Sequence, residues 1–228
     1  MADRILSSIA QNPVFAGLSA AERSSLALQG TARRYIKGES IALHGDTWPY
    51  LMLIIEGEVD AIKVSSEGRE LLVSTFGPGE LFWGLAFFHE GAPMPVTLQA
   101  RLPAWVLLWT RQTAVPVLMK NGAMGWELCR LMSRRMMRAS AILEEMAFQP
   151  VAGRLAHFLL DLSADGDESS IARSLTLDEI AVRVGSTREV VCRFLQRFAD
   201  QGWIDITRTE FTINDRPQLS MLAQQAKG

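Results

Sequence analysis

The spacing of apolar residues changes several times along the chain, and each change predicts a different kind of element. Ser19 with Glu22 three positions on is the reciprocal signature of a helix start, and the pattern to Gln29 predicts a short helix. From Tyr35 to Thr110 the period falls to two. Alternation is plain in Tyr50-Leu-Met-Leu-Ile-Ile55 and Val59-Asp-Ala-Ile-Lys-Val64, the latter followed by a hairpin signal at Ser65-Ser-Glu-Gly68. Gly38, Gly45, Gly57, Gly68, Gly77, Gly79 and Gly91 punctuate this stretch at roughly ten-residue intervals, the rhythm of a β barrel or sandwich. Between Val115 and Phe148 the period becomes helical. Leu128, Met132, Met136, Ala139, Leu143 and Met146 step by fours and threes, with Leu131 and Ile142 widening the stripe, and Gly122 and Gly125 loosening the beginning. Such a stripe packs on its own β domain or forms a seam with a second copy, and the length of the segment favours the seam.

Gln149-Pro150 ends that helix, because a residue before proline disfavours the α region and proline has no amide to donate. A helix over Val151 to Leu162 and a polar loop over Ser163 to Ser170 follow. The expected division is a β domain over 1–114, a long helix over 115–149 and a third part over 150–228.

The third part carries the most specific pattern. Thr176 with Glu179 reads as one capping box and Ser186 with Glu189 as a second, so two helices start ten residues apart with Gly185 in the turn between them. That is the layout of a helix-turn-helix, whose second helix is presented to the major groove of DNA. On a wheel of that helix Val190, Val191, Phe194, Leu195 and Phe198 fall on one side. Arg188, Glu189, Arg193 and Gln196 fall on the other, beside Ser186 and Thr187 at the start. An arginine fork matches guanine O6 and N7, and a carboxylate accepts from cytosine N4. The alternative for Glu189 and Arg193 is a plain surface ion pair four residues apart. Gly202 stops the helix, and Trp203-Ile-Asp-Ile206 and Phe211-Thr-Ile213 predict a hairpin with Arg208 at its tip, the wing of a winged helix-turn-helix.

A net charge of −2 works against nucleic-acid binding, but five arginines face three acids between Arg183 and Arg208. The chain's 48% apolar content across 228 residues fills more than one core. No apolar run reaches the roughly 18 residues that cross a bilayer, and Met1-Ala-Asp-Arg4 lacks the layout of a signal peptide, so a cytoplasmic protein without membrane contact is expected. Cys129 and Cys192 are far apart and outside any C-x-x-C spacing, which predicts buried thiols rather than a disulfide, an iron-sulfur cluster or structural zinc.

In this order of parts the chain resembles the CRP/FNR (cyclic-AMP receptor protein/fumarate-nitrate regulator) family along almost its whole length. Tyr35-Ile-Lys-Gly-Glu-Ser-Ile-Ala-Leu-His-Gly-Asp46 and Leu53-Ile-Ile-Glu-Gly-Glu-Val59 are similar to the strands of its cyclic-nucleotide-binding jelly roll, and Gly185-Ser-Thr-Arg-Glu-Val-Val-Cys-Arg193 to its recognition helix. The resemblance implies an α+β chain: an N-terminal jelly-roll sensor, a long dimerisation helix and a C-terminal winged helix-turn-helix. It also implies a homodimer that regulates transcription at palindromic DNA, with Arg188, Glu189 and Arg193 reading TGTGA-like half-sites. Asp165 to Ser170 occupy the loop with which family activators touch RNA polymerase.

The family's ligand cassette departs from its pattern here. Along Gly79-Glu-Leu-Phe-Trp-Gly-Leu-Ala-Phe-Phe-His-Glu-Gly-Ala-Pro-Met-Pro95, Gly84 stands at the ribose glutamate, Met94 at the phosphate arginine and Pro95 at the serine. Ala139 stands at the adenine-contacting threonine, beside Ser140. An anionic phosphate needs charge or amide donors that Met94 and Pro95 do not supply, so cyclic AMP is not expected to bind. With Phe82, Trp83, Leu85, Phe87 and Phe88 nearby, three readings stand: a pocket filled by these side chains, an apolar or aromatic effector, or haem on His44 or His89. The competing class is a cupin-like jelly-roll metal enzyme. His44, His89 and His157 are scattered, no nucleophile is paired with a base, and neither a metal site nor a catalytic residue is assigned.

Overall fold

The structure is a computed structural model that describes residues 2–66, 68, 70–164, 170–172 and 175–224. It contains two compact units, one built from residues 1–64 and 72–137 and the other from 65–71 and 138–228.

The first unit opens with α1 (Ala2–Gln11), a 3-10 turn (Pro13–Phe15) and α2 (Ala20–Gln29). The Ser19–Glu22 capping box forms as expected. Helix α1 was not foreseen, although Ile5 and Ile9, four apart, are its inward residues. Eight strands follow: β1 (Thr31–Tyr35), β2 (Ser40–Ala42), β3 (Tyr50–Glu56), β4 (Val59–Val64), β5 (Glu70–Phe76), β6 (Leu81–Trp83), β7 (Thr97–Ala100) and β8 (Ala104–Thr110), with the short helix α3 (Leu85–Phe88) after β6. They form two four-stranded sheets ordered β1-β8-β3-β6 and β2-β7-β4-β5. The strands begin before the expected Tyr35, because β1 is an edge strand exposed along nearly its whole length and so shows no alternation.

Strands β3 and β8 are buried on both faces, and their alternation sorts apolar residues into two cores. Met52, Ile54, Val106 and Leu108 face the second sheet, where Ala61, Leu98 and Ala100 meet them. Leu51, Leu53, Ile55, Trp105, Leu107 and Trp109 face the helices, packing with Ile9, Phe15, Leu26 and Leu128. The antiparallel register sets Leu51 against Trp109 and Leu53 against Leu107. The buried indole of Trp109 donates to the Leu26 carbonyl at 2.7 Å. Asn12, also buried, accepts from the Val14 amide and donates to the Gly79 carbonyl, tying the helical lead-in to the turn before β6.

The single helix expected from Val115 is two. Helix α4 (Arg111–Lys120) stops at Asn121, whose side chain accepts from the Met124 amide and so starts α5 (Gly122–Phe148) afresh. The apolar stripe also divides. Met124, Leu128 and Leu131 pack on the first unit's own core, while Met132, Met136, Met137, Leu143 and Phe148 are exposed.

The second unit has α6 (Val151–Ala164), β9 (Ser170–Ala172), α7 (Leu177–Val184), α8 (Arg188–Asp200), β10 (Ile204–Ile206), β11 (Glu210–Ile213) and α9 (Arg216–Gln224). Its sheet is ordered β10-β11-β9, so the expected hairpin gains a third strand that starts at Ser170. The rest of the loop expected to face RNA polymerase, 165–169, lies outside the described residues. Leu155, Leu159, Ile180, Val184, Val191, Leu195, Phe198, Ile204, Phe211 and Leu219 form one core.

At its edge lies Arg154, 8% exposed, whose guanidinium donates to the carbonyls of Gln149 (2.7 Å), Val184 (2.9 Å) and Gly185 (3.3 Å). It thereby caps the C-terminal ends of α5 and α7 together, the position a helix dipole favours for a cation. Replacing Arg154 with Met leaves these carbonyls without their charged donor, and urea unfolding of the variant is expected to show a loss of about 2–4 kcal/mol; an unchanged midpoint would show that the contacts contribute nothing.

Candidate functional site

Helices α7 and α8 are set by their caps. Thr176 accepts from the Glu179 amide while the Glu179 carboxylate accepts from the Thr176 amide. Gly185 closes α7 in the left-handed conformation (φ 61°), and the amides of Gly185 and Ser186 both donate to the Ala181 carbonyl. That bond corrects the expected start of α8. Ser186 is committed to the C-terminal cap of α7, so Thr187 is the N-cap of α8, accepting from the Val190 amide. The two N-caps are therefore one residue further apart than the spacing of Ser186 and Glu189 suggested.

Val191, Leu195 and Phe198 of α8 are buried, with Val190 and Phe194 half-buried, as the helical wheel predicts. The opposite face is solvent-exposed and begins in the first turn: Thr187, Arg188, Glu189, Cys192, Arg193 and Gln196. The Arg188 guanidinium lies 3.4 Å from the carboxylate of Asp178 on α7. Neither Glu189 nor Arg193 has an ion-pair partner among the described residues, so the four-apart pair open as an alternative is not formed; Arg193 instead approaches the Phe194 ring at 5.7 Å. Gln196 donates to Asp200 at 2.9 Å, which turns its amide along the helix. Arg208 is exposed at the turn between β10 and β11. Both cysteines are exposed rather than buried as expected, and Cys192 lies one turn behind Arg188 on the same face of α8.

Within the first unit the expected ligand residues are divided between core and surface. Phe82 and Met94 are core, packed with Trp48 and Phe76 between the sheets, and the Phe76 and Phe82 rings meet edge to face at 5.2 Å. Gly84 is buried, and a Cβ built on it would overlap the Trp48 carbonyl oxygen. Leu85 and Pro95 are exposed, and Ala139 and Ser140 sit on an exposed stretch of α5 in the second unit.

A residue that the sequence reading missed caps this region. Arg135 of α5 lies 4.4 Å from the Trp83 ring centroid and 4.9 Å from that of Phe76, and donates to the Leu81 carbonyl. Burial there lowers its pKa to about 10, with the charge of Glu80 acting against the fall and that of Arg134 adding to it. The side chain therefore stays protonated at neutral pH. The available signal was its place in line with Leu128 and Leu131, seven and four positions further along the same helix face.

His44 and His89 are exposed, and among the described residues no three His, Cys, Asp or Glu side chains stand where they could share a metal ion. No described helix is long and apolar enough to cross a membrane.

Residues 32–121 match the cyclic nucleotide-binding domain family and residues 153–222 the Crp-like helix-turn-helix domain family. The chain is 27% identical over 221 residues, 95% of its length and 98% of the relative's, to a CRP-like cAMP-activated global transcriptional regulator of Mycobacterium tuberculosis. It is 29% identical over 192 residues to a cyclic AMP receptor protein of Thermus thermophilus, covering 84% of this chain and 87% of that one. Among solved structures, the c-di-GMP-responsive global regulator CLP of Xanthomonas campestris superposes with a TM-score of 0.71 at 23% identity, covering 83% of this chain and 95% of that one. A CRP/FNR-family transcriptional regulator of Thermus thermophilus gives 0.65 at 24%, covering 86% and 100%.

A β-rich nucleotide-binding-type domain, a long helix and a helix-turn-helix reader define the class of protein: a DNA-binding transcription regulator. The chain belongs to the CRP/FNR family of transcription regulators. The comparisons lend no support to the metal-enzyme alternative.

The overlap at Gly84 gives a test. Gly84→Ala forces the β6–α3 turn away from Trp48, and thermal unfolding is expected to show a loss of about 1–3 kcal/mol; a neutral substitution would mean that the turn has room for a side chain.

Proposed function

We propose that the protein binds palindromic DNA as a homodimer through the N-terminal turns of α8, and that its sensor domain no longer takes cyclic AMP. The observation that carries the reading is the exposed polar face of α8, where Glu189 and Arg193 have no ion-pair partner among the described residues, above a buried Val191, Leu195 and Phe198. In the major groove Arg188 and Arg193 are placed to fork onto guanine, and Glu189 to accept from cytosine. Ser186 and Thr187, at the positive end of α8, and Arg208 on the wing take phosphates. The Gln196 amide leaves Asp200 when a base or phosphate is offered. Two copies on one face of the duplex place TGTGA-like half-sites about 34–36 Å apart. The second copy is supported by the exposed Met132, Met136, Leu143 and Phe148 of α5, an apolar face that water does not favour.

For the sensor, the M. tuberculosis relative is described as cAMP-activated. Here Gly84 has no room for a glutamate, Met94 is core, and Trp48, Phe76, Phe82 and Arg135 occupy the space and its border. The reading in which side chains fill the pocket is thus favoured over an apolar effector or haem. Titration calorimetry with cyclic AMP is expected to show no saturable heat, and a micromolar Kd would contradict this.

On a duplex with two inverted TGTGA half-sites, Arg188→Ala and Arg193→Ala are each expected to weaken binding by about 10- to 100-fold and to relax selectivity at one base pair. Arg208→Ala is expected to weaken all duplexes alike and reduce the salt dependence by about one counterion. Unchanged binding by the Arg188 and Arg193 variants would overturn the assignment of α8.

A further inference from the structure

Arg188 is the first residue of α8, and the partner it has comes from the other helix of the motif: its Nη1 lies 3.4 Å from Oδ2 of Asp178. Asp178 stands in the first turn of α7, where the capping is done entirely by its neighbours Thr176 and Glu179. Its carboxylate therefore has no part in that cap. Both side chains are about two-thirds exposed, at 66% and 65%, so solvent screens the pair. Its effect on stability is small, which leaves its effect on where the guanidinium points.

An arginine carries five donors and guanine offers two acceptors, so a carboxylate on one Nη1 edge leaves the opposite edge of the fork free for O6 and N7. A long arginine side chain otherwise samples phosphates and neighbouring bases, and it loses that freedom on binding. A negative charge beside the groove also opposes the approach of phosphates at that point, and this penalises every sequence in which the base contact is not made.

We propose that Asp178 is a specificity-determining residue: it directs the Arg188 fork at one guanine and lowers the affinity for DNA that lacks it. This rests on the reading that Arg188 contacts a base, and the experiment separates the two. Full-length protein carrying Asp178→Asn, Asp178→Ala, Arg188→Ala or the Asp178→Asn/Arg188→Ala pair is measured by competition at fixed salt. The probes are the duplex with two inverted TGTGA half-sites and duplexes with one base pair changed in turn. The base pair read by Arg188 is the one whose penalty disappears in Arg188→Ala.

The expected result is that Asp178→Asn and Asp178→Ala cut the penalty at that same base pair from about 10-fold or more to about threefold, leaving the other penalties in place. They also tighten binding to unrelated DNA by about two- to fivefold. In the Arg188→Ala background Asp178→Asn changes no penalty. If Asp178→Asn shifts every duplex by one common factor, Asp178 acts only as bulk charge and the proposal is overturned while the reading of Arg188 stands. If Arg188→Ala leaves every penalty in place, both fall together.

Discussion

Val191, Leu195 and Phe198 are withdrawn from water into a core shared with Ile180, Val184 and Phe211, and α8 therefore cannot turn about its own axis. Each such burial stabilises the arrangement by about 1.5–3 kcal/mol, so rotating the helix by one residue would cost several times the value of any single surface contact. What the outer face of the helix presents is decided by what the core has taken. Arg188, Glu189 and Arg193 stand on the outer face because Val190 and Val191 between them, and Leu195 beyond, turn inward. The caps add the second coordinate: the left-handed Gly185 and the Thr187 N-cap fix where the helix begins, and with it which side chains stand at its leading end.

The sensor unit shows the same logic with the opposite outcome. Two strands buried on both faces divide their side chains between a core against the helices and a core between the sheets. Between the sheets the space is taken by Trp48, Phe76, Phe82 and Met94, and Arg135 is seated on the rings of Phe76 and Trp83. A guanidinium stacked on aromatic faces keeps its charge while its flat sides are covered by the rings.

Much of this was legible from the chain. Period-two alternation found β3 and β4, the capping boxes of Ser19–Glu22 and Thr176–Glu179 placed α2 and α7, and the wheel of α8 separated its buried residues from its polar ones. The shortfalls have physical causes. Edge strand β1 has no buried face to write a pattern. The break at Asn121 is made by a side-chain cap inside an otherwise helical sequence, and Ser186 imitates an N-cap because its backbone commitment to Ala181 is a tertiary consequence of the glycine before it. The stripe of α5 reads as one face because two partners, the sensor core and open solvent, take successive turns of it. Arg135 and Asp178 escape notice because a charge acting in a packed or cross-helix setting has the same sequence signature as one on a solvated surface.

In the proposed function two copies of α8, each locked by its buried face, present their polar sides to DNA. Selection of bound duplexes from a random library by the full-length protein tests it most directly. Enrichment of an inverted repeat of TGTGA-like half-sites with centres one helical turn apart is expected; an enriched lone half-site, or no enrichment over the starting pool, would contradict it.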